Sequence, residues 1–392
     1  MPRTSSKKSQ ASGYQPEAMA AKPSSLNKAT KVLMVGPYPP PYGGIAVVVR
    51  DLLESPLSSS VDLRLMRSHN PREDTSNLEG DYLVRGFMDL CSLIKELLRF
   101  RPQVVHIHTS YDYGWPRNVL LALVSKAFGA KVLLHIHAYN ERCKDGFPRT
   151  ILRRLIFTPS MAFDIADHIF TLSDKYTNNI LAYYPDKKVT TVFNCITMKR
   201  YLENKEKVGG EKIVVSYIGR LDKRKGVHEL LNAVEKISEK VTDVIFKIVG
   251  IGPEKDYVEN WMNRSAASSA VEYLGFVSEE EKIRILKLTD IFVLQSTNEG
   301  VPISLLEAIA SGCAIISTPV GSIADIVDHG RNGLMIKPED PDALVGAIMT
   351  LHDDRPMLRR MQSENLANRL EYAWEKKAEE IASIYIALAQ ER

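Results

Sequence analysis

Cysteine is scarce in this chain: Cys91, Cys143, Cys195 and Cys313 stand far apart, with no CxxC pair among them. That spacing excludes a zinc ribbon and a disulfide framework, and it fits a reducing compartment. Long hydrophobic runs are missing too. No stretch of 18 apolar residues occurs, so no helix is expected to span a membrane. Neither GxGxxG nor a Walker loop is present, which excludes the standard dinucleotide and nucleoside-triphosphate cradles. Charge of one sign is lacking: the formal net charge is only +3, and nothing global points to nucleic acid. The first 30 residues are rich in Ser, Lys, Ala and Pro and hold no apolar h-region, so they read as a disordered tail rather than a signal peptide.

What is present is an ordinary globular balance, 44% apolar and 25% charged, over 392 residues. That is too long for one core, so two domains are expected. The core opens at Lys31. Val32–Gly36 is a short apolar run that ends in a Pro/Gly-rich loop, and a helical pattern follows from Ile45 to Leu53. Strand and helix patterns then alternate. Strands are expected at 104–108, 132–137, 168–172 and 189–193, with helices over 85–100 and 118–128. A polar segment at 203–212 reads as a linker, and the pattern restarts with strands at 213–218, 244–249, 291–294 and 314–317. Runs this apolar, without alternation, suit strands covered on both faces. The expected fold class is therefore α/β, two doubly wound domains at 31–202 and 213–373, with a final segment at 374–392 whose helix packs back on the first domain. Ligands of such sheets bind beyond the carboxyl ends of the strands, here in the cleft between domains.

Three segments carry candidate chemistry. Glu299-Gly300-Val301-Pro302-Ile303 opens a helix that holds Glu307 one turn later. The backbone N–H groups near Gly300 and Val301 favour an anion. Glu307 can accept hydrogen bonds from the cis diol of a ribose, and Glu299 can hold hydroxyls of a second sugar. Next, Arg220 and Lys225 flank a tight turn after the strand at 213–218. A diphosphate leaving group calls for such a pair, Arg for bidentate contact and Lys as a point charge. Last, Gly43-Gly44 after the first strand lets the backbone approach a ligand closely. Two HxH pairs, His106/His108 and His135/His137, have one-face spacing that could suit a metal, but they are read as strand-end histidines lining the cleft. Asp340-Pro341-Asp342 is literally DxD and is read as a helix cap.

Taken together these segments resemble the retaining glycosyltransferases of family 4, with the GT-B fold of two Rossmann-like domains facing each other across a cleft, and the likeness covers residues 31–385. Glu299 and Glu307 match the family's E-x7-E motif, Arg220 and Lys225 its donor-phosphate pair, and Gly43-Gly44 its N-terminal glycine loop. Val249–Pro253 and Tyr273–Val277 match the two segments usual between them, and His137 matches a cleft histidine that meets the donor sugar. Val277 and residues Gly300 to Ile303 join the donor site on this likeness. Two departures stand out. Asn194-Cys195-Ile196-Thr197 replaces the common Asn-Gly-hydrophobic-Asp. Val301-Pro302 replaces an aromatic-Gly pair, a variant similar to bacterial capsule and exopolysaccharide enzymes.

The resemblance implies transfer of a sugar from a UDP- or GDP-sugar to a glycan or lipid-linked acceptor, with retention. It assigns acceptor binding to the first domain and donor binding to the second. Arg220, Lys225, Glu299 and His137 are the expected catalytic residues, with no metal and no cofactor. A nucleotide-sugar epimerase or hydrolase on the same fold, and a non-catalytic partner of the same fold, remain as alternatives. The expected location is cytoplasmic, with contact at the inner membrane face. Between residues 81 and 160 there are 12 Lys/Arg against 6 Asp/Glu, and Phe147 to Phe163 reads as a basic, apolar helix suited to an anionic bilayer.

Overall fold

The structure is a computed structural model that describes residues 30–40, 43–68, 80–110, 115–137, 159–202 and 212–391. Among these, the first half runs β1 (Lys31–Gly36), α1 (Gly44–Glu54), α2 (Leu57–Ser60), β2 (Asp62–Arg67), α3 (Gly80–Arg99), β3 (Val104–Thr109), α4 (Trp115–Ala127), β4 (Lys131–Ile136), α5 (Pro159–Ile165), β5 (His168–Thr171), α6 (Asp174–Tyr183) and β6 (Val189–Thr191). The second half runs β7 (Ile213–Ile218), α7 (Val227–Ser238), β8 (Val244–Val249), α8 (Lys255–Arg264), β9 (Val271–Gly275), α9 (Glu279–Leu288), β10 (Ile291–Leu294), α10 (Ile303–Ala310), β11 (Ala314–Ser317), β12 (Gly333–Met335), α11 (Pro341–Asp353), α12 (Arg355–Asn368) and α13 (Trp374–Gln390).

Each half forms one parallel sheet with helices on both faces. The strand orders are β2-β1-β3-β4-β5-β6 and β12-β11-β10-β7-β8-β9. The central strands are the apolar runs read from the sequence: β1 from Val32 onward, β3, β10 and β11 are buried along their length. Strands β2, β9 and β12 were not expected, for a physical reason. They lie at or next to the sheet edges, where one face stays wet. β2 and β9 alternate in burial instead of forming a run. In both sheets the chain reverses its direction of travel once, between β1 and β3 and between β7 and β10. A crevice opens at such a switch point beyond the strands' carboxyl ends.

The halves are joined twice. Residues 203–211 of the expected linker lie outside the described residues. Upstream of them Ile196, Met198 and Tyr201 are already buried in the second half's core. The chain returns at Ala373, which bridges to Ile196, and Trp374 N–H donates to the Ile196 carbonyl at 3.2 Å. From there α13 lies on the first half. Trp374, Ala378, Ile381, Tyr385 and Leu388 fall on one helical face and pack against Val48, Leu52, Leu57 and Phe170. Each large side chain buried this way contributes about 1.5–3 kcal/mol. A cluster of charges also crosses between halves: Arg50 of α1 and Arg200 both meet Glu279 of α9, while Asp51 accepts from Arg50 at 2.7 Å and from Arg200 at 3.2 Å. No helix among the described residues is long and apolar enough to cross a membrane. Residues 147–158 of the basic, apolar stretch lie outside the described residues.

Candidate functional site

The switch point of the second sheet gathers the two charged motifs. The loop after β7 carries Arg220 and Lys225, and the loop after β10 carries Glu299; these are the neighbouring strands from which the chain departs in opposite directions. Lys225 closes a 3₁₀ turn (Lys223–Lys225) whose start is capped by Asp222, which accepts from the Arg224 N–H at 3.0 Å. Gly226 then turns the chain at φ 80°, and an added Cβ there would stand 2.4 Å from the Gln295 carbonyl oxygen. Only glycine meets both demands, so this position presses the two loops together.

As a result Lys225 Nζ lies 2.5 Å from Glu299 Oε1, and the Ser296 hydroxyl donates to the same oxygen at 2.7 Å. Glu299 is nearly buried and Lys225 is about one-third exposed, at 30% of its side chain. Arg220 stands apart from this pair. Its side chain is mostly exposed, and its nearest recorded acid is Asp222 at 3.9 Å. Behind Glu299, Gly321 at φ 60° would place a Cβ 2.0 Å from the Glu299 carbonyl oxygen, and the Ser322 N–H donates to the Gly300 carbonyl. The backbone of the acidic loop is thus held from below.

Glu307 sits one turn into α10, whose N-cap is Pro302. It is buried, and its Oε1 accepts from Lys282 Nζ at 2.6 Å and from the Tyr201 hydroxyl at 3.1 Å. Burial and the Glu307 charge push the Tyr201 phenol well above its usual range. The sequence did not single out Lys282, Tyr201 or Ser296. Lys282 and Tyr201 reach Glu307 only through the tertiary fold, so no spacing reveals them, whereas Ser296 lies three residues before Glu299 in the same loop, a nearness the sequence does show. Asn194, noted only as a departure from a motif, has a task here: its Nδ2 donates to the Val301 carbonyl at 2.8 Å and ties the first half to the acidic loop. Val301 and Val277 turn their side chains to the second half's core, and Ile303 packs against it. What Val277 and Val301 offer a ligand is therefore backbone.

On the facing side, Gly43 is the N-cap of α1, and a Cβ added at Gly43 or Gly44 would meet nothing within 4 Å. His137 directly follows β4 at the cleft, with its carbonyl oxygen 3.0 Å from a Cβ built at Gly300. Its Nε2 is 2.8 Å from His108 Nδ1. Burial holds the His137 imidazole down at about 3, so it is neutral at ordinary pH.

The other three histidines do not line the cleft, which corrects the reading from the sequence. His106, His108 and His135 are buried between the sheet, Phe170 and α13, and His106 Nδ1 is 2.6 Å from the Tyr385 hydroxyl. Their ring nitrogens lie within 4.8 Å of one another. The rings stack, however, His106 on His108 at 4.3 Å and on His135 at 5.4 Å, with interplanar angles of 29° and 13°. The in-plane lone pairs of stacked rings stay in near-parallel planes held apart by the stacking, with His108 and His135 tilted by 36° at 5.1 Å, whereas a metal needs the lone pairs to converge at about 2 Å from each nitrogen. Asp340 of the DxD sequence caps α11, accepting from the Ala343 N–H at 2.8 Å, and Asp342 pairs with Lys236 on the surface.

Two family models match the chain, one to each half. A model described as "Glycosyltransferase Family 4" matches residues 42–200, and one described as "Glycosyl transferases group 1" matches 199–368. An uncharacterized glycosyltransferase of Methanocaldococcus jannaschii, MJ1607, is 26% identical over 55% of this chain and 59% of its own. The chain thus spans less than two thirds of that relative. The glycogen synthase of Mycobacterium tuberculosis is 23% identical over 74% of this chain and 69% of its own. Among solved structures, Anabaena HepE in complex with UDP superposes with a TM-score of 0.66 at 17% identity, covering 91% of this chain and all of the other.

Proposed function

Because the chain belongs to the family 4 glycosyltransferases, we propose that it moves a sugar from a UDP- or GDP-sugar to the hydroxyl of a glycan or lipid-linked acceptor, with retention, in polysaccharide biosynthesis. The observation that carries this reading is the contact of Lys225 with Glu299 at 2.5 Å across the switch point of the second sheet. A cation from the loop that also carries the exposed Arg220 meets there a carboxylate that stands just before the N-terminus of α10.

The donor would lie with its ribose at Glu307, its diphosphate between Arg220, Lys225 and the backbone at Gly300–Ile303, and its nucleobase along the backbone at Val277. Glu299 and His137 would bracket the sugar from opposite domains, with the backbone at Gly43-Gly44 approaching the donor from the first domain and the rest of that domain left to the acceptor. Transfer then breaks the bond between the anomeric carbon and the phosphate oxygen and forms one to the acceptor oxygen on the same face. The acceptor proton passes to the departing phosphate. The protein contributes orientation and preplaced positive charge, both larger in effect when the leaving group carries its full charge. Two cations and a helix terminus meet that charge, so the reaction would need no metal and no cofactor. Full activity in EDTA is expected; activity lost to EDTA and restored by Mn²⁺ refutes it. The site of action would be cytoplasmic, at the inner membrane face, with no nucleic-acid partner.

A thermal-shift series with UDP, GDP and ADP tests the donor site directly. The right nucleotide stabilises the protein by roughly 2.7 kcal/mol at a hundredfold excess over its Kd. Lys225→Ala should abolish that shift. If no nucleotide moves the midpoint of the wild type, the donor-site assignment is wrong.

A further inference from the structure

Helix α3 carries two apolar faces, and among the described residues only one of them has a core to cover. Leu93 and Leu97 point inward and are buried. On the opposite side Val84, Phe87, Met88 and Leu98 are 50–67% exposed. Steps of three or four residues, 84–88–91–95–98, place them in one stripe with Cys91 and Lys95 between Met88 and Leu98, and from 84 to 98 it runs about 21 Å. Scattered exposed apolar residues need no explanation, but a stripe at helical period does.

The charges on the same face say what it meets. Lys95 and Arg99 are exposed within the stripe. Of the two acids described on the helix, Asp89 is buried against Arg117, and Glu96 pairs with Arg64. An outward face with long apolar side chains, cations that can extend to headgroups and, among the described side chains, no exposed acid is the composition of a helix lying in an anionic lipid surface. The topology says where that surface stands. α3 leaves the carboxyl end of β2 and returns to the start of β3, and both strands are parallel to β1. The half of α3 with Val84, Phe87 and Met88 therefore lies at the carboxyl edge of the sheet, the edge that faces the cleft.

We propose that the outward face of α3 docks on an anionic bilayer and brings the mouth of the cleft to it, so that the acceptor is carried in that membrane. The acceptor half of this statement rests on the transferase reading above; the docking half does not. The test is flotation of the full chain at low salt with phosphatidylcholine vesicles, with and without phosphatidylglycerol. The wild type is expected to float with the anionic vesicles alone. Phe87→Asp combined with Met88→Asp should lower the bound fraction about tenfold or more. Lys95→Glu combined with Arg99→Glu should lower it by at least about fivefold per cation. Leu370→Asp, an equally exposed apolar site in the second domain, should float like the wild type. Unchanged unfolding midpoints show that all variants are folded.

A wild type that stays at the bottom overturns the proposal, as does a Phe87/Met88 double variant that still floats. A wild type that is dimeric by sedimentation, and made monomeric by that same variant without floating, assigns the face to a second copy and overturns it as well. Flotation involves no donor, so a protein that floats but transfers no sugar refutes the transferase reading alone.

Discussion

Lys225 and Glu299 occupy one another in the structure, yet their expected tasks differ from that of Glu307. Charge on the diphosphate grows as it leaves, so the Lys225 contact strengthens in the transition state. Removing one preplaced donor of this kind costs on the order of 10²–10³ in kcat. Lys225→Ala should therefore lower kcat more than it raises the donor KM, and Glu299→Ala should behave alike. A near-wild-type kcat/KM in both would show that they are surface charges. The ribose does not change during reaction, so Glu307→Gln should act through KM. It should also cost stability, because Lys282, only 18% exposed, loses its countercharge. A loss of about 1–3 kcal/mol is expected, read as a lower urea midpoint. Lys282→Ala should raise the donor KM in the same way, although Lys282 lies 25 residues from Glu307 in sequence. The residues that touch the donor in this reading are legible in the sequence because a loop and a helix fix their spacing. Of the residues that hold them, Lys282 and Tyr201 are not legible, since only the folded path of the chain brings them in; Ser296, three residues before Glu299, lies within reach of the sequence.

Strands β3 and β4 bury four imidazoles side by side. Burial lowers the affinity of His106, His108 and His135 for protons, and each neighbour lowers it further; His137 falls to about 3 and His168 on β5 to about 4, the latter by burial and the nearby Lys188. The unfolded chain takes up these protons from about pH 6.5 downward, and the folded one does not. Stability from this cluster is therefore complete above about pH 6.5 and is lost as pH falls toward the folded values, with a slope of up to about 1.4 kcal/mol per pH unit for each group. Urea midpoints between pH 8 and 5 should be level at the upper end and drop steeply below 6.5, and His135→Phe should make the drop shallower. A midpoint that holds constant down to pH 5 contradicts the burial. Elements differ in how well the sequence announces them. The central strands do so because both of their faces are apolar. The edge strands β2 and β9 alternate, and β12 has three residues, too few for any pattern. The HxH pairs mislead for a related reason: period two fixes the face of the sheet but not what covers it, and here α13, arriving from the far end of the chain, seals it.

Across the whole molecule the halves are held by charge at one end and by backbone at the other. Glu279 receives Arg50 and Arg200, and Asn194 holds the Val301 carbonyl. Glu279→Ala removes the second half's carboxylate that both guanidiniums share and leaves them to Asp51 of the first half, so the halves should separate more easily. A larger radius of gyration in solution scattering and a raised donor KM at unchanged unfolding midpoint are the expected signs; an unchanged radius and KM would show that the backbone contacts suffice. Two halves and their cleft follow from the restart of the strand pattern at Ile213. The second crossing at Ala373 fixes the ownership of α13, and this has a consequence for how the protein is made. A ribosome delivers residues in order, at about 5–20 per second. The face formed by Val48, Leu52, Leu57 and Phe170 is complete once β5 has emerged, but its cover, Trp374 to Leu388, is synthesised only after the whole second half. For roughly 10–40 s the nascent first half carries an open apolar face while the entire second half is being made. Birth of the chain is thus an aggregation-prone moment, and a holdase that shields that face until α13 arrives should raise its yield.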